Sequence, residues 1–146
     1  YWAMQGQPLP ITGSGTMTRD FTFVKDIVNA LISAGHVVDA VGREMNIASG
    51  VETEITWLAQ RINKLTKNKA GIVTSERRKW DTKSRLKASI EVARNVLNYE
   101  PKTDFDTGLE ATIRWFHDNW ENIETCAEFP PGMSSAVKNF TASTKY

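Results

Sequence analysis

The chain has 146 residues, 40% of them hydrophobic, with 18 Lys and Arg against 17 Asp and Glu for a formal net charge of +1. That length can bury a core without covalent staples, and a single cysteine (Cys126) with two histidines (His36, His117) excludes a disulfide framework and a multi-cysteine zinc site. The longest apolar stretch, Ile27 to Val41, is broken by Asn29, Ser33, Gly35, His36 and Asp39, so it is no membrane span.

The first residues, Tyr1-Trp2-Ala3-Met4, carry no basic region leading into an apolar run, so no signal peptide is expected, and the missing start Met suggests a piece of something longer. Pro8-Leu9-Pro10-Ile11 followed by Gly13-Ser14-Gly15 reads as an extended edge segment and a turn. Phe21-Thr22-Phe23-Val24 alternates apolar and polar residues and predicts a strand. A helix is expected over Lys25 to Ala34, with Ile27, Ala30, Leu31 and Ala34 at helical spacing and Gly35 as its stop. Met45-Asn46-Ile47-Ala48 predicts a second short strand. Thr53 is placed to cap a helix whose stripe is Ile55, Leu58, Ile62 and Leu65. Ile72-Val73-Thr74 is a further strand candidate. Ser89 is placed to cap a helix with Ile90, Ala93 and Leu97 inward, ended by Asn98 and Pro101. The last strong periodicity spans Thr107 to Ile123, with Leu109, Ile113, Phe116 and Trp120 on one face. Beyond it, Phe129-Pro130-Pro131-Gly132 breaks the pattern, and residues 126–146 are expected to form a tail after a folded portion over 1–125. Few short strands alternating with about four helices indicate a mixed α/β fold.

Charge is balanced overall and lopsided locally. Lys64 to Arg94 holds ten basic and three acidic residues, a net of +7; Glu100 to Glu128 holds eight acidic and two basic, a net of −6. Such blocks mark an anion-binding face, two segments that meet in the fold, or simply solvated helix faces. Catalytic groups are scarce. No glycine fingerprint for a dinucleotide and no Gly-Lys-Ser or Gly-Lys-Thr occurs. Cys126 has no basic sequence neighbour to favour its thiolate, and neither histidine has an obvious partner. What remains is arginine: Arg77-Arg78-Lys79-Trp80-Asp81, then Arg85 and Lys87, between a strand and a helix. Guanidinium groups keep their charge and match two phosphate oxygens with a planar fork.

These pieces form a pattern. Gly6-Gln7-Pro8-Leu9-Pro10-Ile11-Thr12-Gly13-Ser14-Gly15, then Thr18-Arg19-Asp20-Phe21-Thr22-Phe23-Val24-Lys25-Asp26-Ile27, resembles the second half of extended short-chain dehydrogenase/reductase proteins, the nucleotide-sugar epimerases and dehydratases of the UDP-glucose 4-epimerase kind. Asn46-Ile47-Ala48-Ser49-Gly50, Arg77 to Asp81, and Leu97-Asn98-Tyr99-Glu100-Pro101-Lys102 with Gly108-Leu109-Glu110 continue the resemblance in order, from about Met4 to Trp120.

The resemblance implies a C-terminal substrate-binding lobe of a cytoplasmic enzyme whose N-terminal Rossmann half binds NAD and carries a catalytic Tyr-x-x-x-Lys. That motif is absent here, since Gln5 and Thr103 follow Tyr1 and Tyr99 at the fourth position, so the chain alone is expected to bind no cofactor and to catalyse nothing. Arg19 matches an arginine that reaches the diphosphate in relatives. Arg78 and Asp81 match an Arg-x-x-Asp assigned to phosphate and nucleoside, and Arg85 falls near a further contact position. The implied ligand is a nucleotide-sugar of the UDP or dTDP class, and the implied partner is the Rossmann half, without which self-association is expected. Met45–Ala48 corresponds to a strand of the Rossmann sheet in the resembling proteins. An alternative is a small anion- or nucleic-acid-binding module built on the basic block 64–94. Against it stand the near-zero net charge and the absence of a nucleic-acid-binding signature.

Overall fold

The computed structural model describes residues 1–77, 79 and 82–126. Two small sheets organise them. Strand β1 (Leu9–Thr12) runs parallel to β4 (Ile72–Ser75), pairing Leu9 with Ile72 and Thr12 with Ser75, and bonds from Leu9 N to Gly71 O and Gly13 N to Ser75 O continue the ladder at both ends. The second sheet has the order β3-β2-β5. At its centre, β2 (Thr18–Asp20) lies antiparallel to β3 (Glu52–Glu54) and parallel to the two-residue β5 (Arg85–Leu86).

Between the strands lie α1 (Val24–His36), a 3-10 turn over Val38–Ala40, α2 (Ile55–Thr66), α3 (Glu91–Leu97), α4 (Phe105–Asp118) and α5 (Trp120–Cys126). The mixed α/β class expected from sequence holds, with five α-helices among the described residues rather than about four.

The differences have physical reasons. The expected strand Phe21–Val24 is displaced: the ladder ends at Asp20, and Val24 already begins α1. The aromatic side chains that imitate strand alternation pack on α4 instead. Phe21 meets the Phe105 ring edge-on at 5.9 Å between centroids, and Phe23 lies so close to Gly108 that an added Cβ there would sit 3.1 Å from its ring. Met45–Ala48 joins no ladder, because no strand lies alongside it among the described residues. Thr53 belongs to β3, and Glu54 occupies the cap position of α2 without a side-chain bond. Ile90, not Ser89, precedes α3. Helix α1 runs through Gly35 to His36, whose Nδ1 lies 2.8 Å from Ile32 O, and Leu31 is exposed. The last helix starts at Phe105 because Asp104 accepts from Thr107 N at 3.0 Å, a carboxylate cap the sequence reading passed over, and it breaks at Asn119 into α4 and α5. The expected tail, apart from Cys126, lies outside the described residues.

The core joins α1 and α3 through small side chains. Ala30, Ala48, Ile90, Ala93, Leu97 and Tyr99 are buried together, Ala93 completely. Tyr99 follows the left-handed Asn98 (φ 52°) that ends α3, and its hydroxyl donates to Ala48 O at 3.0 Å, fixing the 45–48 segment on the helices. Desolvation pushes the Tyr99 phenol above its ordinary pKa. A second contact ties α2 to α4: Arg61 forks onto both carboxylate oxygens of Asp106 at 2.6 and 2.8 Å, and Trp57 packs edge-on against Phe105.

Candidate functional site

Arg19 stands in the middle of the central strand of the three-stranded sheet, half-buried, with Nη1 donating to Thr18 O at 2.7 Å. The neighbouring Asp20 is committed to structure. Its Oδ1 accepts from Ser49 N and Oγ at 2.9 and 2.6 Å, and its Oδ2 accepts from Gly50 N at 3.0 Å. Asp26 likewise holds Thr103 N at 3.1 Å from a buried position. The strand bearing Arg19 is thereby fastened on its C-terminal side to the Asn46–Gly50 segment and, through α1, to the loop before α4.

Arg85 lies on the adjacent strand. The register sets Thr18 opposite Arg85 and Arg19 opposite Leu86. Because successive side chains alternate between faces, Arg85 shares a face with Thr18, Asp20, Glu52 and Glu54, while Arg19 points to the other. The Arg85 guanidinium is taken by Glu52, Nε donating to Oε1 at 3.0 Å and Nη2 to Oε2. The Thr18 hydroxyl donates to Glu52 Oε1 at 2.6 Å. The Arg85 fork, then the Thr18 hydroxyl, holds the Glu52 carboxyl down at about 2, against an ordinary 4.5, and Glu52 in turn raises the Arg85 pKa. The side chain of Arg85 is 75% exposed and that of Glu52 15%, so an interior carboxylate anchors an outer cation.

Glu52 and Thr18 were missed in the sequence reading. Thirty-three residues separate Glu52 from Arg85, and the only local signal is the polar triplet Glu52-Thr53-Glu54 after Gly50-Val51. Arg78 and Asp81 lie outside the described residues. Arg77 is described, and its side chain lies beside the β1–β2 turn: a Cβ added at Gly13 would sit 3.5 Å from Arg77 Cβ and Cγ. The structure thus brings Arg77 to one end of the β1–β4 pair and sets Arg19 and Arg85 on opposite faces of the other sheet.

No group of three or more metal-type side chains occurs among the described residues, and Cys126 is exposed. The Gly13–Gly15 turn does not fit a dinucleotide. Gly15 faces Thr56, whose Oγ1 would collide with an added Cβ, so protein occupies the space its missing side chain leaves.

The sequence pattern of the GDP-mannose 4,6 dehydratase family matches residues 2–112. The chain belongs to this family, among the extended short-chain dehydrogenase/reductase epimerases and dehydratases. UDP-glucuronic acid decarboxylase 1 of Danio rerio is 31% identical over 93% of the chain, which spans 32% of that relative. Among solved structures, the epimerase Mth375 of Methanothermobacter thermautotrophicus is 53% identical, with a TM-score of 0.86 over 88% of this chain and 38% of its own. The Bordetella bronchiseptica enzyme WbmF, solved with NAD+ and UDP, is 40% identical, with a TM-score of 0.70 over 84% of this chain and 36% of its own. The chain therefore spans about a third to two-fifths of the length of these relatives. No helix among the described residues is long and apolar enough to cross a membrane.

Proposed function

We propose that this chain is the nucleotide-sugar-binding portion of a cytoplasmic, NAD-dependent epimerase or dehydratase, with residues 1–125 forming the binding lobe and 126–146 a tail. In this reading Arg19 and Arg78 take the diphosphate of a UDP- or dTDP-sugar, and Asp81 takes the nucleoside. The observation that carries it is the seat of Arg19. A guanidinium on the central strand of a sheet, one residue before an aspartate that fastens two neighbouring segments, is held in place before any ligand arrives. WbmF, 40% identical and solved with NAD+ and UDP, supports the ligand class.

A partner half supplies the cofactor and the proton-transferring tyrosine in this reading, so the chain alone does not transfer hydride. Exposed apolar residues on α1 and the turn after it support such a partner: Val24, Val28, Leu31 and Ile32 form a stripe at helical spacing, continued by Val38 and Val41. Beside it, Ala30, Leu31, Met45, Ile47 and Leu97 line a groove of about 450 Å³. Without that partner, this face drives self-association.

Calorimetric and NMR titration of the chain with UDP and UDP-glucose tests the reading. Weak saturable binding with shifts at Arg19 and its strand neighbours is expected. Shifts confined to residues remote from Arg19 would sink it.

A further inference from the structure

Arg85 is the residue whose sequence position suggests a ligand contact while its surroundings point elsewhere. Both nitrogens on one edge of its guanidinium are bound to Glu52. Its face of the sheet also carries Asp20 and Glu54, so three carboxylates stand around a strand that offers only Arg85 and Lys87 in return. A diphosphate approaching that face meets more negative than positive charge. Arg19 points to the opposite face and is spared this field. Meanwhile β5 is two residues long, so the backbone ladder contributes little to fixing it; Thr18 N to Ser84 O at 2.9 Å is the bond at its entry. The Glu52–Arg85 fork spans from β5 across β2 to β3, with the Thr18 hydroxyl of β2 closing the bridge.

We infer that Arg85 is a positioning residue and not a ligand contact: clasped by Glu52, it fixes β5, and with it the chain that leads from the basic loop, against the strand bearing Arg19. This inference rests on the nucleotide-sugar reading of Arg19. It differs from a plain structural role in one respect. Breaking the clasp lowers affinity for the nucleotide in protein that stays folded.

The test is a charge-reversal cycle on the chain, with UDP as the probe and folding checked by circular dichroism. Arg85→Ala and Glu52→Gln are each expected to weaken UDP binding about threefold to tenfold, and the double variant no further than either single one, because both remove the same clasp. The exchanged pair, Glu52→Arg with Arg85→Glu, is expected to return affinity to within about twofold of the parent. The swap suits its surroundings: an arginine at 52 stands between Asp20 and Glu54, and a glutamate at 85 stands near Lys87. A loss in Arg85→Ala that Glu52→Gln does not share, or that the swap fails to rescue, would mean that Arg85 touches the ligand and would overturn the inference. Unchanged affinity in both single variants, while Arg19→Ala abolishes binding, overturns it as well but leaves the nucleotide-sugar reading intact. If the parent chain does not bind UDP, or Arg19→Ala binds as the parent does, the reading of Arg19 falls and the inference falls with it.

Discussion

In the proposed reading, Arg19 and Glu52 use the same short sheet for opposite ends. Arg19 is expected to make charge-assisted bonds to phosphate, each worth about 1.5–3 kcal/mol, so Arg19→Ala should weaken UDP binding roughly tenfold or more in calorimetry. Glu52 is tied to folding through its proton. Its carboxyl is held down at about 2 in the folded chain against an ordinary 4.5, so its clasp stabilises fully above the ordinary value. That contribution fades as pH falls from 4.5 through about 2. The stability gap between the parent and Glu52→Gln should therefore be constant near neutrality and shrink across that acid range in urea melts; a gap independent of pH down to 2 would show that the clasp is not ionic. The run Thr18-Arg19-Asp20-Phe21 that makes Arg19 a candidate is contiguous and so can be read from sequence. The clasp cannot, because its two halves come together only when β3 and β5 settle on either side of β2.

At the scale of elements, helices were easier to read than strands. Ile55, Leu58, Ile62 and Leu65 repeat over twelve residues of α2, whereas ladders of two to four residues are too short to show a period. Phe21–Val24 alternates like a strand only because its aromatic rings must reach α4. Asn119 broke a continuous apolar face that periodicity could not divide. One glycine turn carries a cost that can be measured. Gly15 sits at φ +77° with Thr56 against it, so Gly15→Ala combines left-handed strain with a collision and should lower stability by about 1–2 kcal/mol in denaturant unfolding. Tyr99→Phe removes the hydroxyl that donates to Ala48 O and leaves that carbonyl in a buried setting. A loss of about 1–3 kcal/mol is expected, with the NMR shifts of residues 45–48 moving most.

For the whole molecule, the informative feature is the mismatch between its two sides. One side closes a small core with alanines and Tyr99, and the other leaves Val24, Val28, Leu31 and Ile32 exposed along one helix, with Val38 at 83% and Val41 at 82% beside them. A scatter of exposed apolar residues is ordinary, but a stripe at i, i+4, i+7 and i+8 is the pattern of a helix face that packs on something. The relatives are more than twice as long as the region they share with this chain, and in the proposed reading a partner half, or for this chain tested alone a second copy, covers that stripe. Sedimentation of the chain should accordingly show mass rising with concentration. Leu31→Glu combined with Ile32→Glu should shift it to monomer without changing its helical circular dichroism, since both side chains already face solvent. The same pair of substitutions should leave UDP affinity unchanged, because the residues paired with Arg19 across the sheet are Thr53 and Leu86 and neither substitution touches them. Parent protein that stays monomeric at high concentration would remove the argument for association, and a double variant that still associates would place the contact on another face.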